Sequence, residues 1–321
     1  MSKMSTDHLR HVLNGATMGT RWSAILHAAP GFDPSFAHVC LSRAVGEVDR
    51  QMSAWDRDSD LMRLNRAPAG GWVAVPDHLL KVLEAGLEIG RISCGAFEIG
   101  MGDAVTAWGF CADEADPDKI RSALKADRRP AHEVLEIDRA AGRVRKHGPL
   151  ALDLGGIAKG YGVDRLTETA RSLNVAHGLL SIDGEVRALG ARPDGRPWAI
   201  AIEQPDYERR STHSVLTISD TAVATSGDYR HWVEVGGKRL SHTMDPARGA
   251  PLVRHPASVT VTAPTCMGAD AWATAFMVMG PEEARPLANR LGLSVLFLDR
   301  EGQGVQPLKL GADFAPHASA T

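Results

Sequence analysis

The chain has 321 residues, 44% of them hydrophobic and 23% charged, with a formal net charge of −3. That is the size and balance of a globular protein with room for a dry core beneath a cleft. No apolar run approaches the roughly 20 residues that cross a bilayer, and interspersed charges with only 5% aromatics offer nucleic acid neither an electrostatic footprint nor a stacking platform.

Residues 1–14 read as a polar leader. Asp7, His8, Arg10 and His11 interrupt every apolar stretch that a secretory signal would need, which predicts a cytoplasmic location. "TRWSAILHA", Thr20 to Ala28, then alternates as a strand does. Ser35 to Met52 places Leu41, Val45, Val48 and Met52 on one face at helical spacing. A second helix is predicted in "VPDHLLKVLEAGLEIGRIS", with Asp77 as its N-cap after Pro76 and with Leu80, Leu83 and Leu87 as its apolar stripe. Between Asp113 and Gly148 the chain is charged and poor in apolar residues. Short strands at most are expected there, and no functional role.

The second half is strand-rich. "GLLSIDGEVRALG", "PWAIAIEQP", "SVLTISDTAVATS", "HWVEVGGKRLSH" and "SVTVTA" alternate, Pro193 to Arg196 is a turn, and the short links favour antiparallel pairing. Helices over Ala269–Met279 and Pro281–Leu291 precede a last strand, "LSVLFLD", and the tail 316–321 is expected to be disordered. No repeat or linker divides the chain. The prediction is one α+β unit over residues 15–315, built from two interleaved sheet layers. Cys40, Cys94, Cys111 and Cys266 have no spacing that suggests a zinc site or a disulfide framework, and are read as small buried hydrophobes.

Several segments are harder to explain as packing. In "DLGGIAKGYGVD", Gly155 and Gly156 let backbone approach a ligand, and Lys159 stands where a turn enters a helix. The segment reads as a phosphate cradle or as a tight turn with a solvated lysine, and matches neither common nucleotide-binding fingerprint. Asp270 and Thr274, four apart on a helix, stack a carboxylate and a hydroxyl on one face. These are two hard oxygen donors for magnesium, or else a residue near an N-cap and a hydroxyl bonded back into its own helix. A carbonyl from Gly156 could add a third donor. Phe97 in "GAFEIG" and Trp55 in "MSAWD" could be core aromatics. Trp55, flanked by Ser53, Asp56, Arg57 and Asp58, fits a stacking wall for a planar ring better.

Taken in order, Met18-Gly-Thr, Met52-Ser-Ala-Trp, Gly95-Ala-Phe-Glu, the Asp153–Asp164 segment, Ala224-Thr-Ser-Gly-Asp-Tyr, His242-Thr-Met-Asp-Pro-Ala-Arg-Gly and Ala269-Asp-Ala-Trp-Ala-Thr make a match. From about Gly15 to about Gly280 the chain resembles the FAD:protein FMN transferase (ApbE-type) family. The resemblance implies two interleaved sheet-and-helix subdomains with FAD in the cleft between them. It places Met18 and Trp55 against the ring systems, with Ala96, Phe97, Glu98, Asp153, Lys159 and Met244 lining the dinucleotide. It further implies Mg2+ at the Gly156 carbonyl, Asp270 and Thr274, and His242 as the catalytic residue. Where the family has Phe-Asp-Pro this chain has Phe97-Glu98-Ile99, so the acid reaches one methylene further and the turn lacks its proline.

The implied reaction is magnesium-dependent transfer of the FMN half of FAD to a threonine or serine hydroxyl of an acceptor protein, releasing AMP. His242 is expected to take the hydroxyl proton, with the Asp245-Pro246 turn holding its ring. Two other outcomes fit the same site: hydrolysis of FAD to FMN and AMP, and flavin binding without turnover.

Overall fold

The computed structural model describes residues 8–111, 114–230, 232–235, 238–253, 255–302 and 304–314. Strands β1 (Leu9–Thr17) and β2 (Thr20–Ala28) form a hairpin closed by Met18 and Gly19, both at positive φ (47° and 68°). A two-residue turn of this hand matches the twist of its strands. Met18 is held in it by its N–H, which donates to Asp49 Oδ2 at 3.1 Å. Residues 9–14, expected within the polar leader, are thus most of β1. An edge strand with much of its surface in water carries no core signature. Residues 1–7 and the tail 316–321 lie outside the described residues.

Helix α1 (Pro34–Met52) begins at Asp33, whose carboxylate accepts the N–H groups of Ser35 and Phe36, and it buries Leu41, Val45, Val48 and Met52 as their spacing predicts. Helix α2 (Asp60–Arg66) and strand β3 (Trp72–Ala74) follow, then α3 (Asp77–Ile92). Asp77 is not the N-cap of α3. Pro76 takes that position with extended backbone, and Asp77, in the first turn, pairs with Lys81 at 3.0 Å.

The charged stretch after residue 113 holds more than short strands. Following α4 (Gly102–Ala107) it contains α5 (Pro117–Lys125), α6 (Ala131–Val134), β4 (Leu135–Asp138) and β5 (Arg143–Lys146). Asp116 caps α5 ahead of Pro117, a start signal that its scarcity of buried residues obscured. β5 pairs with β3 and β4 in a three-stranded sheet.

From there the chain runs through α7 (Ala158–Ser172), β6 (His177–Ile182), β7 (Glu185–Leu189), β8 (Trp198–Glu203), β9 (Thr212–Ile218) and β10 (Ala222–Gly227). Next come β11 (Trp232–Val235), β12 (Lys238–Ser241), β13 (Met244–Asp245), β14 (Ala250–Pro251), β15 (Ser258–Ala263), α8 (Cys266–Leu291), β16 (Ser294–Glu301) and β17 (Gly304–Leu310). α8 breaks at Gly280 (φ 73°), ahead of Pro281, which yields the two helical segments that the sequence predicts.

The largest sheet has eight strands in the order β1-β2-β6-β7-β10-β15-β16-β17, with every neighbouring pair antiparallel. Helices α1, α7 and α8 cover one face, where Trp22, Leu26, Leu41, Phe276 and Phe297 form the main core. The β8–β9 hairpin covers the other, packing Trp198, Ile202, Leu216 and Ile218 against Val223, Leu296 and Leu298. Along β16, Val295 and Phe297 face the helices while Leu296 and Leu298 face the hairpin. β15 is buried throughout, so its sequence could not say which layer it served.

Cys266 is buried, Cys40 and Cys111 are partly so, and Cys94 is exposed. Cys94 sits at positive φ (53°) in the turn that ends α3, outside the core expected for it. No helix among the described residues is long and apolar enough to cross a membrane.

Candidate functional site

A cleft of about 1630 Å³ opens at the β1–β2 turn, the ends of α1 and α7, and α8. Met18, Trp55, Ala96, Phe97, Glu98, Asp153, Gly156, Lys159, His242, Met244, Asp270 and Thr274 all line it. Residues 256 positions apart in the chain, Met18 to Thr274, thus share one cleft.

The floor is the crossing of α7 and α8. Gly160, in the first turn of α7, packs so tightly that a β-carbon there would lie 2.3 Å from the Cys266 carbonyl oxygen. Its N–H donates to Asp270 Oδ2 at 2.9 Å and so orients that carboxylate. One turn along α8, Thr274 Oγ1 bonds to Ser226 Oγ of β10 at 3.1 Å rather than only into its own helix. The backbone of Gly156 lies alongside, where a β-carbon would come within 3.0 Å of Thr274 Oγ1 and 3.3 Å of the Phe97 ring. The Gly156 backbone, a carboxylate and a hydroxyl therefore line one part of the cleft, where oxygen donors suit a hard divalent cation. Among the described residues there is no group of three or more His, Cys, Asp or Glu side chains arranged to hold a metal, so a cation here depends on such mixed oxygens.

Charge is concentrated at the same point. Burial pushes the Asp270 carboxyl up to about 7, reinforced by the nearby Glu185 charge and opposed by Lys159 and by the Gly160 N–H. Burial alone would lower the Lys159 ammonium, but the carboxylates of Glu185, Asp270 and Asp183 outweigh it and hold the pKa above the usual lysine value. Lys159 Nζ reaches Glu185 Oε1 at 2.6 Å and Asp183 Oδ2 at 3.6 Å. Glu185 and Asp183 also line the cleft and were missed from the sequence. The available signal was an acid on each side of the glycine in the "IDGE" hairpin, which reads first as turn chemistry.

The aromatics divide. Trp55 is 64% exposed at the rim, held by an N–H bond to Ser53 Oγ at 3.2 Å, and is not a core anchor. Phe97, 4% exposed, belongs to the main core and turns only part of its ring to the cleft. The Glu98 carboxylate faces protein: it accepts Gly100 N–H at 2.7 Å and Ala131 N–H at 3.1 Å, at the start of α6. Its extra methylene relative to aspartate therefore braces a turn that has no proline. Burial raises its pKa against those two N–H bonds. Asp153 is likewise raised by burial, partly offset by the Gly155 N–H at 3.1 Å.

His242 is half-buried between β12 and β13 and lines the cleft. The loop after it is held by Asp245, whose Oδ1 accepts the Ala247 and Arg248 N–H groups at 3.0 and 3.3 Å. Asp245 thus shapes the turn that follows β13, three residues after His242. Met244 is buried against Met101, Ala104, Ala107 and Ala123 and reaches the cleft from that small core. A second cavity of about 650 Å³ adjoins, sharing Ala54, Val105 and Asp153 with the cleft and extending over Asp118, Lys119 and Ser122 of α5. The segment from which no role was expected therefore walls a cavity beside the site.

An antiparallel sheet with helices on one face, and a cleft joining a glycine turn, a helix N-terminus and an exposed tryptophan, is the architecture of a ligand-binding α+β protein. Residues 18–297 match the ApbE family, and the chain belongs to it. It is 36% identical over 295 residues to the FAD:protein FMN transferase of Vibrio cholerae serotype O1, covering 91% of this chain and 88% of that one. To the FAD:protein FMN transferase of Escherichia coli K12 it is 34% identical over 300 residues, covering 91% and 84%. Among solved structures it superposes on the flavin transferase ApbE of Vibrio cholerae with a TM-score of 0.83 at 31% identity, covering 96% and 99% of the two chains. The apo flavinyl transferase ApbE of Pseudomonas stutzeri gives 0.81 at 35% identity, covering 94% and 95%.

Proposed function

We propose that this chain transfers the FMN half of FAD to a threonine or serine hydroxyl of an acceptor protein, forming a phosphoester and releasing AMP. The observation that carries this reading is the convergence on one cleft of a tryptophan too exposed to be core, a buried carboxylate and a neighbouring hydroxyl beside a close-approaching glycine, and a histidine just ahead of a braced turn.

In this reading the isoalloxazine ring stacks on Trp55, with Met18 and the exposed edge of Phe97 beside it. Ala96, Asp153 and Met244 complete the walls around the dinucleotide, while Glu98 acts through the backbone that it braces. The acceptor oxygen attacks the phosphorus of the FMN half. A new P–O bond forms, the bridging bond to the AMP half breaks, and the electron pair leaves with AMP. His242 accepts the hydroxyl proton and passes it to solvent, a contribution worth about 10²–10⁴-fold. Lys159 supplies positive charge beside the phosphates. The Gly156 carbonyl, Asp270 and Thr274 would hold magnesium, which when bound neutralises the phosphate oxygens facing the nucleophile.

Incubation of the protein with FAD, magnesium and a candidate acceptor tests the proposal. Intact-mass analysis should show an FMN increment on the acceptor and equimolar AMP. FMN and AMP accumulating with no increment on any acceptor, or FAD held intact in excess magnesium, would overturn it.

A further inference from the structure

Glu185 is only 3% exposed, yet it lines the cleft and holds Lys159 Nζ at 2.6 Å through Oε1. Its other oxygen, Oε2, is buried without a hydrogen-bond partner among the described residues. A buried carboxylate so poorly satisfied is costly unless something else answers its charge. Two carboxylates close on the Lys159 ammonium, Glu185 at 2.6 Å and Asp183 at 3.6 Å, and Asp270 lines the same cleft. A cation site at Asp270 would therefore stand close to a fixed positive charge, which weakens cation binding.

The geometry explains why the lysine does not spoil such a site. Lys159 lies one residue before Gly160, whose N–H binds Asp270, so the ammonium could be drawn onto that carboxylate. It is drawn instead to Glu185 at the start of β7, with Asp183 3.6 Å away. We infer that Glu185 is a positioning residue that ties Lys159 to the β6–β7 turn, keeps its ammonium from neutralising Asp270, and so leaves Asp270 for a divalent cation. The inference rests on Asp270 being a cation ligand, as in the function proposed above.

The test is Mn2+ binding to the FAD-free protein, followed by calorimetry or electron paramagnetic resonance, for the parent, Glu185→Gln, Lys159→Met and the double variant. Glu185→Gln should weaken Mn2+ binding by about 10–100-fold, the usual loss when a residue supporting a ligand is removed. Lys159→Met alone should change it little, and in the Gln background it should restore most of the loss, because the released ammonium is then gone. A Lys159→Met effect of the same size in both backgrounds, or parent-like binding by Glu185→Gln, overturns the inference. Should Glu185→Gln melt below the assay temperature, Glu185→Asp takes its place in the same cycle with the same outcomes, since its shorter side chain loosens the tie to Lys159. A parent that binds no Mn2+ removes the cation site itself, and the inference with it. A parent that binds Mn2+ without coupling between the two residues removes the inference alone.

Discussion

Gly156 is pressed against Thr274: a β-carbon on the first would sit 3.0 Å from the hydroxyl oxygen of the second, which is itself tied to Ser226 Oγ at 3.1 Å. Gly156 is not in the left-handed region, so the constraint is one of space. Gly156→Ala should leave the protein folded while displacing Thr274 by a few tenths of an ångström, and should lower Mn2+ affinity about tenfold or more. Gly160→Ala is the contrasting case. Its β-carbon meets the Cys266 carbonyl, a backbone atom that cannot swing aside, and stability should fall by about 1–3 kcal/mol or more. Urea melts and Mn2+ titrations of the two variants should separate a site defect from a packing defect. A normal cation affinity in Gly156→Ala would argue against the oxygen set proposed here.

Trp55 has most of its surface in water and contributes little to the core. Trp55→Ala should therefore melt with the parent while weakening FAD binding by about 0.5–1.5 kcal/mol for the lost stack, plus the burial that the flavin would have gained. Quenching of flavin fluorescence measures the affinity. Unchanged affinity would leave the rim tryptophan without a role in flavin binding.

Glu98 supplies a pH dependence with a definite sign. Its carboxyl is raised above the ordinary value of 4.5 by burial, so between that value and the raised one the folded state binds more protons than the unfolded state. Stability is then lost as pH climbs through that window and stays lost above it. Glu98→Gln keeps an oxygen for the Gly100 and Ala131 N–H groups but carries no charge. Denaturation midpoints measured from pH 4 upward should fall less steeply for Glu98→Gln than for the parent. Identical slopes would show that the Glu98 charge is well accommodated.

His242→Asn separates binding from chemistry. Asparagine keeps a polar planar group between β12 and β13 but has no useful basicity. FAD affinity should be nearly unchanged, while single-turnover transfer should drop by about 10²–10⁴-fold. The pH dependence that the base gives the parent's transfer rate should be lost with it. Transfer from bound FAD at the parent rate would rule out His242 as the base.

What the sequence determined by itself was whatever local pattern controls. The helical faces of α1 and α3, the alternation of β2, the hairpin-rich second half and the break at Gly280 each follow from spacing and turn residues within a few positions. The ordered motifs likewise named residues that prove to share one cleft, because chemistry-bearing residues in polar settings stand out from packing patterns. Tertiary structure decided what depends on distant neighbours. β1 looked like a polar leader because an edge strand is mostly wet, and α5 was obscured because it buries little of itself. Glu98 turned inward because the N–H at the head of α6 lies within reach, which no spacing between residues 98 and 131 could disclose. Glu185 became part of the site only when β7 was laid beside α7, where burial made its charge costly and Lys159 the group to answer it. Electrostatics in a protein is set by burial and by proximity in space, and both are properties of the folded chain.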